Sequence, residues 1–161
     1  MELHSLKARA QSLQKEHKKE LKKLKTKRDQ EVDRQFHQLH ESEFASINCL
    51  DCANCCKTTG PLITDKDVLR IAKHLKMKPQ PFIEKYLRID EDNDYVLQAL
   101  PCPFLDTHNF CSIYSVRPKA CREYPHTNRV KQKQLLHLTL KNAEICPAVF
   151  NILEAIKKNT K

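Results

Sequence analysis

Eight cysteines are the residues of this chain best equipped for chemistry. Four are packed into eight positions as Cys49-x2-Cys52-x2-Cys55-Cys56, and four more stand at Cys102, Cys111, Cys121 and Cys146. Thiolates two residues apart can face one metal ion, because a tight turn points both sulfurs inward. The spacing therefore implies a sulfur-ligated metal, with Cys49, Cys52, Cys55, Cys56, Cys102, Cys111, Cys121 and Cys146 as the ligand inventory. It does not by itself name the metal.

Three divisions of the eight thiols are open. Cys49, Cys52 and Cys55, followed at a distance by Cys102-Pro103 or Cys146-Pro147, match the bacterial ferredoxin pattern for a [4Fe–4S] cluster. Eight thiolates also divide into two tetrahedral zinc sites. In the third division one site is filled and the remaining thiols do chemistry. The radical-SAM spacing of x3 followed by x2 is not present, and a paired zinc ribbon would need a second Cys-x2-Cys. His108 and His126 lie near cysteines and could each replace a sulfur, although eight Cys leave little need for them.

The compartment bears on whether these cysteines are disulfides or ligands. The start, Met1-Glu2-Leu3-His4-Ser5-Leu6-Lys7, carries no apolar signal region, and no apolar stretch has the length of a membrane span. The expectation is a cytoplasmic protein without membrane contact, where thiols stay reduced and cysteine clusters mean metal or redox chemistry.

Charge divides the chain. The net charge is +9, and residues 7–28 hold ten Lys/Arg against Glu16 and Glu20, a balance of +8. Residues 1–46 are accordingly read as a basic helical arm and residues 47–161 as the cysteine domain. Residues 2–46 hold no Pro or Gly and are rich in good helix formers. Leu3, Leu6, Ala10 and Leu13 keep an apolar rhythm that His17 and Glu20 break, before Val32, Phe36 and Leu39 start a fresh stripe. One long helix is expected, or two collinear ones, with the later half packed on the body. Such an arm could serve a nucleic acid or the ribosome.

Turn residues Asn48, Asp51, Asn54 and Gly60 make residues 48–60 a metal-wrapping loop. Thr64-x-x-Asp67 reads as a capping box opening an amphipathic helix through Val68, Ile71, Ala72 and Leu75 to about Met77. Phe82, Tyr86 and Leu87 suggest a second short helix, and Tyr95–Leu97 at most a short strand after the acidic turn 90–94. Residues 101–128, dense in Pro, Cys and aromatics, are expected to be irregular backbone with a short helix near 116–122. Val149, Ile152, Leu153 and Ile156 form a closing helix after Cys146-Pro147. The fold class is thus mainly α: a small metal-stapled domain with irregular Cys-rich loops, preceded by a long basic N-terminal helix. Among the cations near the cysteines, Arg117 and Arg122 are candidates to turn inward and Tyr114 and Tyr124 to be core aromatics.

These segments together resemble the YkgJ-type CxxCxxCC family of zinc- or iron-chelating cysteine-cluster proteins. The resemblance rests on Cys49-x2-Cys52-x2-Cys55-Cys56, Pro101-Cys102-Pro103-Phe104-Leu105, Cys111-x-Ile113-Tyr114-x2-Arg117-Pro118-x2-Cys121-Arg122-x-Tyr124-Pro125 and Cys146-Pro147. Asn54 departs from the Gly that relatives often carry. The resemblance implies zinc or iron bound through the eight cysteines. A related domain in flagellin lysine N-methylases implies an iron–sulfur, methyl-transfer alternative. The chain shows no glycine-rich nucleotide loop and no nucleophile–base pair, which favours a non-catalytic metal-binding protein.

Overall fold

The computed structural model describes residues 2–160; Met1 and Lys161, the ends of the two expected segments, lie outside the described residues. In chain order the elements are α1 (Leu3–Ser12), α2 (Gln14–Leu24), α3 (Asp29–Ser46), α4 (Cys49–Cys52), α5 (Asn54–Thr58), α6 (Asp65–His74), α7 (Pro79–Tyr86), β1 (Leu87–Ile89), β2 (Tyr95–Leu97), α8 (Lys119–Glu123), α9 (Leu136–Asn142) and α10 (Pro147–Asn159). Short 3-10 turns occupy Tyr114–Val116 and Gln132–Leu135. The mainly α expectation holds. Contacts divide the chain into two compact units, one formed by residues up to Cys49 together with those from Pro125 onward, the other by Leu50–Tyr124. Composition changes at residue 46/47, whereas contacts change near residues 49 and 125.

In the first unit the basic segment is core structure on one face. Leu6, Ala10, Leu21, Leu24, Val32 and Phe36 are buried in one cluster with Val149, Phe150, Ile152, Leu153 and Ile156 of α10. The expectation that only the later half packs is corrected: α1, α2 and α3 all contribute. The single long helix is also corrected, because the chain turns between Leu24 and Asp29. At Leu13 the interruption is slight, and Leu13 N–H still reaches Arg9 O (3.1 Å) and His17 N–H reaches Leu13 O (2.9 Å).

His17 explains why the stripe looked broken. It is buried (1 % exposed), so the inward positions run Leu3, Leu6, Ala10, Leu13, His17, Leu21, Leu24 without a gap. A histidine is tolerated there because its Nε2 lies 2.7 Å from Glu154 Oε1 of α10 and its ring meets Phe150 edge-on, with centroids 5.6 Å apart. Burial alone would raise the Glu154 carboxyl; hydrogen bonds from His17 and Lys157 hold it below its ordinary value. The segment 132–142, for which the sequence suggested no element, forms the 3-10 turn and α9, with Leu136 in the core.

In the second unit, α6 begins at the expected capping box. Asp67 N–H donates to Thr64 Oγ1 (3.1 Å) and Thr64 N–H donates to Asp67 Oδ2 (3.0 Å). α6 ends at His74, ahead of Pro79 and Pro81, which sit in the first turn of α7, where the missing N–H costs nothing. Leu87 then leaves the helix and opens an antiparallel pair with Leu87 opposite Leu97 and Ile89 opposite Tyr95. Phe82, Leu87, Leu97, Phe104 and Ile113 close a second core over Val68, Ile71 and Ala72.

The cysteine run is not a plain loop. It makes two short helical turns, α4 and α5, joined at Ala53, which is left-handed at φ 46°. The position needing left-handed freedom is therefore Ala53, one residue before Asn54. For an L residue with a Cβ that conformation costs about 1–2 kcal/mol.

Two outcomes follow for folding. Ala53→Gly should stabilise the full chain by about 0.5–1 kcal/mol, since relief of the left-handed strain exceeds the added entropy of Gly in the unfolded chain; an unchanged or lower urea midpoint would contradict it. Asp67→Asn should destabilise by on the order of 2 kcal/mol at neutral pH, since it removes charge-assisted bonds at a buried carboxylate. Burial pushes this carboxyl up, but bonds from Thr64, Arg70 and Lys119 N–H outweigh it and hold the pKa below the ordinary carboxylate value. The stabilisation is therefore present above the unfolded value and lost as pH falls through the folded one. Urea titrations should show wild type and Asp67→Asn converging at strongly acidic pH.

Candidate metal centre

Six of the eight cysteines, Cys52, Cys55, Cys56, Cys102, Cys111 and Cys121, lie in the Leu50–Tyr124 unit. Cys49 and Cys146 belong to the other unit, where Cys146 is the N-cap of α10 and packs against the first core.

Local structure brings the later cysteines of the second unit toward the end of α5. Cys102 N–H donates to Cys56 O (2.9 Å), which ties the Pro-Cys-Pro segment to the helical turn bearing the adjacent pair. The chain then doubles back: Asp106 N–H reaches Phe110 O (2.9 Å) and Ser112 N–H reaches Phe104 O (2.7 Å), with Leu105 bridged to Cys111. The Asp106 carboxylate holds the tip by accepting from His108 N–H (2.8 Å) and Phe110 N–H (2.9 Å), while Asn109 supplies the left-handed residue at φ 65°. Buried Phe104 and Ile113 anchor this excursion in the core beneath.

The Cys121 segment is fixed from α6. Arg70 donates through Nε to Val116 O (3.3 Å) and through Nη2 to Arg117 O (3.0 Å), and Lys119 N–H donates to Asp67 Oδ1 (3.2 Å). Arg70 is itself bound to Asp67, so one cap residue and its partner hold residues 116–119. Pro118 caps α8 and its carbonyl accepts Cys121 N–H (3.0 Å). The short helix expected near 116–122 is present, displaced to 119–123.

Electrostatics shows which sulfurs converge. Burial pushes the Cys102 and Cys111 thiols up, and repulsion adds to it: Cys102 feels Cys111 and Cys56, and Cys111 feels Cys56. Cys121 is exposed as a residue, yet desolvation followed by repulsion from Cys56, Cys102 and Cys111 pushes its thiol up to about 12. Every pair among Cys56, Cys102, Cys111 and Cys121 is thus within charge–charge reach. The Cys56 thiol is pulled down to about 7, by a side-chain hydrogen bond from Cys55 first and by attraction to Lys57 as well. Arg117 opposes the rise at both Cys111 and Cys121. It is held by stacking 4.0 Å over the Tyr114 ring and by an Nη1 bond to Tyr114 O (2.8 Å).

This arrangement fits a soft cation in its donor chemistry, because sulfur is the preferred ligand of zinc and of iron centres. Among the described residues, no three His, Cys, Asp or Glu side chains already stand at the spacing of a formed metal site. The four thiols gather at charge–charge range and not at ligand range.

Some expectations are corrected at this level. Tyr114 is 63 % exposed and forms a platform for Arg117, not core. Arg122 is exposed, whereas Arg117 is half-buried and acts on Cys111 and Cys121, so Arg117 is the one of the two that turns toward the sulfurs. His108 is exposed on the hairpin tip, and His126 belongs to the other unit. Arg70 escaped sequence reasoning; the signal was its i, i+3 relation to Asp67 on the same helix.

Comparison with known proteins agrees with the sulfur-rich donor set. No solved structure matches the chain. It is 34% identical over 80 residues to the uncharacterized protein MJ0661 of Methanocaldococcus jannaschii, a match covering 47% of this chain and 43% of that protein. The chain therefore spans less than half the length of that relative. No helix among the described residues is long and apolar enough to cross a membrane. Residues 48–147, running from the start of the four-cysteine run through Cys146, match the CxxCxxCC family, described as a zinc- or iron-chelating domain, and the chain belongs to that family.

Proposed function

We propose that this is a non-catalytic cytoplasmic protein that chelates zinc or iron through its cysteines, with the thiolates of Cys56, Cys102, Cys111 and Cys121 as the nucleus of the site. The observation that carries this reading is their pairwise repulsion. With no cation among them these thiols hold their protons, as the upward shifts of Cys102, Cys111 and Cys121 express; four thiolates in one place become favourable only around a cation. A divalent ion held there would supply that positive charge, with Lys57 and Arg117 placed to offset the remaining negative charge.

Cys52 and Cys55 lie in the same unit, and Cys55 is the hydrogen-bond partner of Cys56, which makes them the adjoining thiols of the proposed ligand set. Cys49 and Cys146 are proposed on their motifs alone. A single four-thiolate ion is preferred to a ferredoxin-type [4Fe–4S] cluster because Cys56, Cys102, Cys111 and Cys121 by themselves supply the four sulfurs of one tetrahedral ion. A reducing compartment suits the reading, since only thiols kept from disulfide formation can ligate a metal.

Anaerobic purification with elemental analysis and a visible spectrum tests the assignment. Stoichiometric zinc in a colourless protein, or iron without the broad absorption of a sulfide cluster, is expected. A metal-free protein that folds cooperatively and does not change on adding zinc or ferrous ion would sink it. In chelator competition, Cys56→Ser should remove the tight site, Arg117→Gln should weaken it by about tenfold as an outer-sphere residue, and Arg122→Gln should leave it unchanged.

A further inference from the structure

The metal site leaves the basic helices unexplained, and their side chains are sharply sorted. Successive residues of a helix turn by about 100°. In α2 this places Lys15, Lys18, Lys19 and Lys22 within one arc of about 100°, while His17, Leu21 and Leu24 point the opposite way. The latter three are buried and the four lysines are exposed. The acidic residues of the helix make their ion pairs and hydrogen bonds elsewhere. Glu16 pairs with Lys157 Nζ (3.2 Å), and Glu20 is taken up by Lys23 (2.9 Å) and the Thr160 hydroxyl. Lys15, Lys18, Lys19 and Lys22 make no ion pair among the described residues, and exposed Lys25 extends the row past the helix end.

We propose that this lysine face of α2 binds the phosphate backbone of a nucleic-acid duplex without reading its sequence. From Lys15 to Lys22 the helix rises about 10 Å, a length over which a duplex presents roughly six phosphate charges. Flexible ammonium groups in a row suit repeated point charges. No aromatic residue lies in residues 2–35, so stacking on unpaired bases has no platform there. Protein interfaces are depleted in Lys and want apolar anchors, which this face lacks. A membrane surface would attract the charges, yet none of the large exposed hydrophobic side chains lies on α1, α2 or α3 to insert.

The test uses the full-length protein with fluorescein-labelled 20-base-pair duplexes of two unrelated sequences, followed by anisotropy across a potassium chloride series. Equal affinity for both sequences is expected, with a log–log salt slope of about −3.6 for four phosphate contacts. The variant Lys15→Gln, Lys18→Gln, Lys19→Gln, Lys22→Gln should bind at least tenfold more weakly with a slope near zero, at unchanged helical circular dichroism. A charge-matched control, Lys66→Gln, Lys73→Gln, Lys78→Gln, Lys85→Gln, should bind like wild type. Equal weakening in both variants would reduce the effect to net charge and overturn the proposal. Absence of duplex binding, or tight binding confined to phosphatidylserine-containing vesicles, would overturn it as well.

Discussion

The Asp67 carboxylate is the interaction on which the second unit turns. It closes the capping box at the start of α6, binds Arg70 one turn later and receives Lys119 N–H from a segment fifty residues downstream. Arg70, so held, grips the carbonyls of Val116 and Arg117. A residue that begins as a helix cap thereby sets the backbone bearing Arg117 and leading into Cys121. A carboxylate this buried is tolerable only because hydrogen bonds surround it.

What that scaffold positions is a set of groups that oppose one another. Cys56, Cys102, Cys111 and Cys121 come from three separate motifs, and each pair repels once ionised. The unit's own core, from Val68 to Ile113, supplies the cohesion that carries them to the same region. Arg117 and Lys57 relieve part of the repulsion without matching four thiolates, which is the physical sense in which membership of a zinc- or iron-chelating family suits this architecture.

The first unit solves a different problem. A segment with a surplus of lysines has to hold its place in a small fold. It does so by giving every inward position to an apolar side chain or to His17, whose ring is satisfied by Glu154 and packed on Phe150. Sorting of charge to one side and burial to the other leaves one helix both structural and strongly cationic.

Local chemistry made much of this legible from the chain alone. The capping box at Thr64 and Asp67, the helix opened by Pro147, the short strand at Tyr95–Leu97 and the family's cysteine motifs all depend on neighbours within a few positions, and all appear where expected. What the chain alone did not reveal depended on distant partners. His17 reads as a break until Glu154 and Phe150 stand opposite it. The helix at 136–142 becomes evident once Leu136 has a core to enter. The left-handed residue is Ala53, next to the Asn54 that stands where relatives often carry Gly, because the turn between two helical segments and not residue preference decides which position bends. Sequence determined which sulfurs exist and their short-range spacing. Only tertiary structure decided that Cys56 keeps company with Cys102, Cys111 and Cys121, because charge and burial act through space and not along the chain.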